Sequence, residues 1–297
     1  MSKVKQVLGR AKVNAVKLAA AAKMPPVEMV GHYYSPLTNP ADAERAITWA
    51  SSTKIPVGVN IDLAATAALA AELAPLWSDL DVSTGRYHRS LMFEAIDAAI
   101  YQSMLRHFRP ARVLEVGSGY STAVALDTIE RFALDTRIEC IEPNPERLLQ
   151  LLREDDDVPL RQSFVQDVPL DVFDSLSAGD FLFIDSTHVA KAGSDVVWTT
   201  LRVLPRLKPG VIVHIHDMFW PLEYQARWLR GRRDWNEIYL IHAFLSGNPS
   251  WRVLLFNDQV LLDRPDLASK YFPDMPGHRP GGLWLERLPD KTSAPQQ

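Results

Sequence analysis

The sequence has a single cysteine, Cys140, among 297 residues. One thiol cannot form an intramolecular disulfide or a zinc site built from several cysteines, so the composition predicts a reducing, cytoplasmic location. Long apolar runs are also missing, because the stretch from Leu18 to Ala22 is flanked by Lys17 and Lys23. A membrane-spanning helix needs roughly 18 or more apolar residues, so no transmembrane segment is predicted.

The chain has no excess of positive charge. Lys and Arg number 32 against 36 Asp and Glu, which gives a formal charge of −4. Nucleic-acid-binding domains usually carry a strong basic excess, so nucleic acid is not a predicted partner. The apolar fraction of 47% and the charged fraction of 23% are those of a globular protein and exclude disorder as the dominant state.

The first 27 residues contain six cations and no acid. Apolar residues at helical spacing predict a basic amphipathic helix there, which ends at Pro25-Pro26. This helix would either serve as a membrane-surface anchor or targeting peptide, or pack on its own domain or a partner subunit. Because its apolar stripe is mostly alanine, we favour the second role, which is compatible with a homodimer. We therefore divide the chain into an N-terminal extension (1–90), a catalytic domain (91–290) and a loose tail (291–297).

Short apolar runs alternate with helical patterns after a helix predicted from Leu91 to Phe108. The predicted strands are Arg112 to Val116, Arg137 to Ile141, Ser163 to Val165, Phe181 to Ile184 and Val211 to Ile215, separated by helices near Thr122 to Phe132, Pro145 to Arg153, Leu170 to Leu176 and Asp195 to Leu207. A Trp-rich helical stretch with Trp220, Trp228 and Trp235 follows, and then strands at Trp251 to Phe256 and Leu283 to Leu285. The alternation predicts an α/β fold with a doubly wound, mostly parallel sheet that binds its ligand at the carboxyl ends of the strands.

A glycine loop follows the first predicted strand. Gly117-Ser118-Gly119 opens a helix, but the third glycine of a dinucleotide fingerprint falls at Thr122, which disfavours NAD. Glu142 ends the second strand, where a carboxylate accepts hydrogen bonds from ribose hydroxyls, and Asp167 ends the third, where it would face an adenine amino group. Glu115, just before the loop, favours a cationic ligand over a diphosphate.

These residues carry a resemblance to a known family. The run from Val113 to Gly119, with Glu142 and Asp167, resembles the S-adenosylmethionine site of class I methyltransferases. The segments His32 to Pro36, Ile184 to Asp195 and His214 to Asp217 are similar to a bacterial small-molecule methyltransferase branch. The resemblance implies a Rossmann-like, seven-stranded sheet with an antiparallel last strand. It also implies that S-adenosylmethionine is bound by Glu115, Gly117, Ser118, Gly119, Ser121, Glu142 and Asp167.

Two ways of activating a substrate hydroxyl remain open at the ends of the fourth and fifth strands. In the first, the resemblance implies that Asp185, His216 and Asp217 bind a divalent metal, Mg²⁺, Mn²⁺ or another ion, with His216 where related families carry a carboxylate. In the second, His188 is the general base and Asp185 or Asp217 fixes its tautomer. We expect His214, which lies deeper in its strand, to be a structural core histidine.

Aromatic and basic residues supply candidate pocket walls. Tyr33 and Tyr34 lie in a predicted lid segment, and Trp220, Trp235 and Tyr239 are further candidates for substrate stacking. We expect Trp198 and Trp228 to be core residues instead. The run Arg227, Arg230, Arg232 and Arg233 would meet either solvent or an anionic substrate, and we favour solvent.

We predict an S-adenosylmethionine-dependent O-methyltransferase that acts on a small hydroxylated molecule, a saccharide or a specialised metabolite. One alternative is an aminopropyltransferase, which would carry an acid where this chain has His188. The others are an N-methyltransferase and a non-catalytic nucleotide-binding module of the same fold.

Overall fold

A single sheet organises the protein. The structure, a computed structural model, describes residues 28–88, 90 and 92–290, so the predicted basic helix and the tail at 291–297 lie outside the described residues. Seven strands form the sheet: β1 (Arg112–Val116), β2 (Arg137–Ile141), β3 (Leu160–Arg161), β4 (Phe181–Ile184), β5 (Ile212–His216), β6 (Trp251–Phe256) and β7 (Gly282–Arg287).

The strand order is β3-β2-β1-β4-β5-β7-β6, and only β7 pairs in the antiparallel sense, with β5 and β6. This confirms the predicted doubly wound, seven-stranded sheet. The order reverses between β1 and β4, where such sheets bind their ligands. The predicted third strand at Ser163 to Val165 is wrong, since β3 ends at Arg161 and residues Val165–Asp167 form a 3₁₀ turn.

Helices cover both faces of the sheet. They are α1 (Pro40–Ser52), α2 (Leu63–Leu73), α3 (Ala95–Phe108), α4 (Tyr120–Arg131), α5 (Glu146–Leu151), α6 (Leu170–Asp174), α7 (Asp195–Trp198), α8 (Ala226–Arg230), α9 (Glu237–Leu245), α10 (Asn257–Asp263) and α11 (Pro265–Tyr271). After α7 the chain continues as a π-helical turn (Thr199–Val203) and a 3₁₀ turn (Leu204–Arg206). Across the described residues, every helix is too short or too polar to cross a membrane.

Three helical predictions need correction. α3 begins at Ala95 and not at Leu91, because the extended Glu94 precedes its first turn. The predicted continuous helix from Asp195 to Leu207 is interrupted by the π and 3₁₀ turns, and Pro205 cannot donate to a regular helix. The Trp-rich stretch is helical only over α8, since Pro221 follows Trp220 and Trp235 lies outside any helix.

Side chains of adjacent strand residues enter opposite cores. Leu182 packs with the cluster that contains Val213 and Ile238, whereas Phe183 packs with Trp77 and Trp284. Successive side chains of a strand point to opposite faces, so both faces of the sheet are buried, as expected for parallel strands. The second cluster includes residues from the N-terminal part of the chain, which therefore shares a core with the sheet.

Arg86 anchors the N-terminal part to α4. Its guanidinium, only 6% exposed, contacts Asp127, Glu130 and Asp156. Nε donates to Asp156 at 2.7 Å, and Nη1 donates to Asp127 at 3.0 Å and to Glu130 at 2.7 Å. Because the hydrogen bond from Arg86 lowers the pKa of Asp156, that carboxylate stays charged at neutral pH. The cluster therefore joins three chain segments around one buried cation.

Replacing Arg86 by Met should lower the free energy of unfolding by about 3 kcal/mol, because it leaves buried carboxylates without their cation. The loss should shrink in acid, since the stabilisation from Asp156 is present at neutral pH and disappears as the pH falls through its lowered folded-state pKa. Urea denaturation measures both effects. As a control, Arg45→Met removes an exposed pair with Asp42 and should cost less than about 1 kcal/mol; equal losses would contradict the prediction.

Candidate functional site

The glycine loop begins where β1 runs beside the end of β4. Gly117 has φ +81°, and a Cβ built there would lie 1.8 Å from the carbonyl oxygen of Asp185. Its amide donates to Ile141 O at 3.0 Å, while the Asp185 amide donates to Val116 O at 2.9 Å. Only glycine satisfies both the positive φ and the close approach. This contact brings the loop against the first residue after β4.

A cavity of about 750 Å³ opens at the carboxyl ends of β1, β4 and β5. Its volume is in the range of small-molecule sites. The predicted residues that line it are Gly117, Ser118, Gly119, Ser121, Glu142, Asp185, His188, His216, Asp217 and Trp235. The sheet register explains this convergence, because Val116 pairs with Ile184 and Ile184 with Ile215, so the three strands end side by side.

Glu142 follows β2 and faces the glycine loop. Its carboxylate accepts hydrogen bonds from the amides of Ser118 at 3.2 Å and Asn144 at 2.8 Å. The buried hydroxyl of Ser118 has no hydrogen-bond partner among the described residues. A carboxylate and an unpaired hydroxyl thus lie on the same wall, and both can bind a polyhydroxylated ligand.

Glu115 does not line the cavity, unlike the prediction that it binds the ligand. It is fully buried and accepts hydrogen bonds from the hydroxyls of Ser121 and Thr122, the second at 2.7 Å. Burial raises its pKa to about 7, although those hydrogen bonds oppose the shift. Glu115 therefore stabilises the first turn of α4, where the hydroxyl of Ser121 donates to the Glu115 carboxylate.

Asp167 is also placed differently from the prediction. It is exposed in the 3₁₀ turn and lies outside the cavity lining, because β3 ends earlier than expected. The adjacent residues Phe164, Val165 and Gln166 line the cavity instead. Gln166 donates through Nε2 to Gly193 O at 2.9 Å, and its buried Oε1 has no partner among the described residues. Gln166 is therefore the polar side chain that this segment presents to a ligand.

His188 is held by carboxylates on both sides of its ring. Nδ1 lies 2.9 Å from Glu237, and Nε2 lies 3.3 Å from Asp185 and 3.5 Å from Asp217. Both His188 and Asp217 have positive φ, 59° and 55°, a conformation that costs such residues about 1 kcal/mol or more. The surrounding contacts hold two strained residues at the ends of adjacent strands.

The charges of this cluster follow from burial and close contact. Burial opposes the charge of His188, but hydrogen bonds with Asp185 and Glu237 raise its pKa well above the usual value. Burial raises the pKa of Asp217. Burial also acts to raise the pKa of Asp185, but His216, His188 and Arg147 together outweigh it and lower that pKa. If the ring were neutral with its Nδ1–H directed at Glu237, its Nε2 lone pair would face two carboxylates and be repelled by them. The imidazolium form, which carries a proton on both nitrogens, therefore fits the geometry.

The predicted metal ligands do not form a metal site in this arrangement. His188 Nε2 lies between Asp185 and Asp217, and His216 Nε2 is 4.0 Å from Asp217. Within residues 28–88, 90 and 92–290, no group of three or more His, Cys, Asp or Glu side chains has the arrangement needed to hold a metal ion. The donor set thus fits an imidazolium bridging two carboxylates.

His214 is a core residue, as its position in the strand predicts. Its ring lies 4.2 Å from the ring of Phe183 and 4.4 Å from that of Trp284. Burial lowers its pKa well below the usual value, so it is neutral. His214 therefore separates the charged cluster from the apolar core.

The aromatic wall differs from the prediction in several positions. Trp235 lines the cavity, and its ring lies 4.3 Å from that of His188. Trp228, expected in the core, lines the cavity as well. The lid residues Tyr33 and Tyr34 are 81% and 72% exposed and, like Trp220 and Tyr239, lie outside the lining. Tyr239 instead donates to Glu223 at 2.6 Å, which directs it away from the cavity.

Glu237 is the main residue that sequence reasoning missed. It is 1% exposed at the start of α9, 49 residues along the chain from His188. Its own amide and that of Asn236 donate to the carbonyl oxygen of His188, at 3.2 and 3.1 Å. The available signal was an acid opening the apolar run Ile238 to Ile241, where a buried carboxylate needs a charged partner.

Comparisons with known proteins give one family match and one curated relative. Residues 114–218 match a family described as a methyltransferase domain. An uncharacterized protein of Archaeoglobus fulgidus is 36% identical over 92 residues, 30% of this chain and 42% of the relative. The chain thus spans about two fifths of the curated relative it matches.

Two solved structures are similar to this chain at low sequence identity. The S-adenosylhomocysteine-bound Podospora anserina methyltransferase PaMTH1 is 15% identical, with 84% of this chain and 97% of that chain covered and a TM-score of 0.43. The cmcI complex with Mg and SAM is 20% identical, with coverages of 65% and 72% and a TM-score of 0.39.

Residues 114–218 thus match a methyltransferase domain, in agreement with the enzyme class that the sequence predicts. The cavity has groups suited to S-adenosylmethionine, because the Glu142 carboxylate and the unpaired Ser118 hydroxyl face the same space. When bound, the donor would contact the loop through its amino-acid part and Glu142 through its ribose.

Replacing Glu142 by Ala should weaken S-adenosylhomocysteine binding at least tenfold, because a carboxylate bonded to hydroxyls contributes about 1.5–3 kcal/mol. Isothermal titration calorimetry measures the dissociation constant. Glu139→Gln is a matched control on the same strand, since Glu139 pairs with Arg161 outside the cavity. Unchanged affinity in Glu142→Ala would contradict the assignment.

Proposed function

We propose that this chain transfers a methyl group from S-adenosylmethionine to a hydroxyl oxygen of a small molecule, a saccharide or a specialised metabolite. The observation that carries the proposal is the His188 cluster, which shares one cavity with the glycine loop and Glu142. A hydroxyl must lose its proton as the new bond forms. Buried groups that accept a proton and stabilise the oxygen are what this reaction requires.

S-adenosylmethionine supplies an electrophilic methyl group on a sulfonium ion. The chain aligns the acceptor oxygen with that methyl group and excludes competing water. We assign proton acceptance to Asp217, whose pKa burial raises, in preference to Asp185, whose pKa the field of His216 lowers against burial. His188 remains an imidazolium and stabilises the negative charge that develops on the acceptor oxygen. Glu237 acts through His188, because it fixes the ring and balances its charge.

The walls of the cavity distinguish this proposal from aminopropyl transfer. A polyamine acceptor is cationic and needs carboxylates along its binding path. Arg227 and Arg233 line the cavity next to Trp228 and Trp235, so that wall would repel a polyamine. The same charges disfavour a protonated amine as acceptor, which supports oxygen over nitrogen. The retained polar cluster also favours an enzyme over a non-catalytic nucleotide-binding module.

His188→Asn should lower turnover by about 10²- to 10⁴-fold, because it removes the cation at the acceptor oxygen. Glu237→Gln should have a smaller effect, since glutamine keeps an acceptor for Nδ1–H. Release of S-adenosylhomocysteine with a panel of hydroxylated acceptors measures turnover, and calorimetry should show unchanged donor affinity. His107→Asn, an exposed histidine outside the cavity, is the control. Full activity of His188→Asn would overturn the role of this cluster.

Turnover should persist in EDTA, because the imidazolium of His188 occupies the position between Asp185 and Asp217. The assay compares rates of S-adenosylhomocysteine release before and after chelation and dialysis. Loss of activity that Mg²⁺ or Mn²⁺ restores would contradict this route and favour metal-assisted deprotonation.

A further inference from the structure

One wall of the cavity carries guanidinium, indole and amide groups and no carboxylate. Between residues 225 and 235 the lining side chains are Gln225, Arg227, Trp228, Arg233 and Trp235. Within the described part of the chain, neither Arg227 nor Arg233 forms an ion pair by direct contact, although the charge of Arg233 opposes the rise in the pKa of Asp217. Arg230 differs, because it pairs with Glu44 at 2.7 Å and lies outside the cavity lining. All four arginines of the basic run are exposed, but only Arg227 and Arg233 also line the cavity.

Arg233 is held in place by stacking. Its guanidinium carbon lies 4.0 Å from the ring centre of Trp228 and 4.6 Å from that of Trp235. Stacking uses the face of the guanidinium and leaves the N–H groups at its edge available to an oxyanion. The ring of Trp235 also lies 4.3 Å from that of His188. One indole ring therefore contacts both the Arg233 guanidinium and the proposed reaction centre.

The buried side chain of Gln225 is independent evidence that a ligand binds at this wall. Its side chain is 7% exposed, and its Nε2 has no hydrogen-bond partner among the described residues. A buried amide donor without a partner costs free energy, and such groups in native proteins usually have a functional explanation. An acceptor oxygen on the bound substrate would satisfy this donor.

We propose that the acceptor substrate is a hydroxylated acid whose anionic group, a carboxylate or a phosphate, binds Arg233, Arg227 and the Nε2 of Gln225. This inference rests on the proposed methyl transfer, because it places the acceptor hydroxyl at His188, which contacts the same indole, Trp235. Paired guanidinium and amide donors recognise both oxyanions through charge-assisted hydrogen bonds. The flat faces of Trp228 and Trp235 flank the body of the molecule.

The experiment uses the full chain saturated with S-adenosylhomocysteine and two matched series of probes. One series is 4-hydroxybenzoate against 4-hydroxybenzamide, and the other is glucuronate and glucose 6-phosphate against glucose. Calorimetry should show at least tenfold tighter binding of an acid than of its neutral counterpart. The series also separates carboxylate from phosphate, since the preferred oxyanion gives the larger ratio.

Arg233→Met and Gln225→Glu should each abolish this preference, the first by removing a cation and the second by adding a repelling charge. Arg232→Met is the matched control, because Arg232 is exposed and lies outside the cavity lining. Affinity for S-adenosylhomocysteine should remain unchanged in all three variants. The Trp fluorescence of wild type should respond to the acids, since Trp228 and Trp235 flank Arg233.

Equal binding of acids and neutral probes would overturn the inference, as would retention of the acid preference in Arg233→Met. Loss of S-adenosylhomocysteine affinity in Arg233→Met would also overturn it, because Arg233 would then serve the carboxylate of the methyl donor. These outcomes are separable from failure of the proposed function. Preferential binding of acids without methylation of any acceptor would contradict the proposed function alone. Methylation of neutral acceptors only would contradict the acid subsite alone.

Discussion

The contact between Gly117 and the carbonyl oxygen of Asp185 determines where the site can form. Because a side chain at Gly117 would collide with this oxygen, the loop after β1 and the first residue after β4 lie in direct contact. The loop proposed to bind the methyl donor and the segment proposed to act on the acceptor therefore start in contact with each other, at Gly117 and Asp185. The parallel register of β1, β4 and β5 extends this arrangement to His216 and Asp217.

Burial of charge is the second constraint on the site. His188 and three carboxylates lie in a region from which water is largely excluded, and each charge is tolerable only because the others are present. His188 and Asp217 both have positive φ, so the backbone adopts a strained conformation where it brings these side chains into the cluster. Stability is provided elsewhere, in the two cores on the faces of the sheet and in the Arg86 cluster.

The sequence predicts most strands well and one edge strand poorly. Strands β1, β2, β4 and β6 have the predicted bounds, because each is a run of four to six mostly apolar residues. The edge strand β3 has two residues and no such run, so Asp167 was expected at a strand end that does not exist there. Glu237 and Gln225 escaped prediction because tertiary contacts alone bring them to the cavity. The aromatic side chains of Tyr33 and Tyr34 did not indicate whether these residues face the cavity or solvent.

His214 has a consequence for the charge of its neighbour. Its neutral ring is held between Phe183 and Trp284, and its Nε2 lies 3.4 Å from Nδ1 of His216. An uncharged imidazole at this position adds no positive charge next to His216. Asp185, Asp217 and Asp97 can therefore raise the pKa of His216 against burial. The core histidine thus leaves the positive charge of this region to His188 and His216.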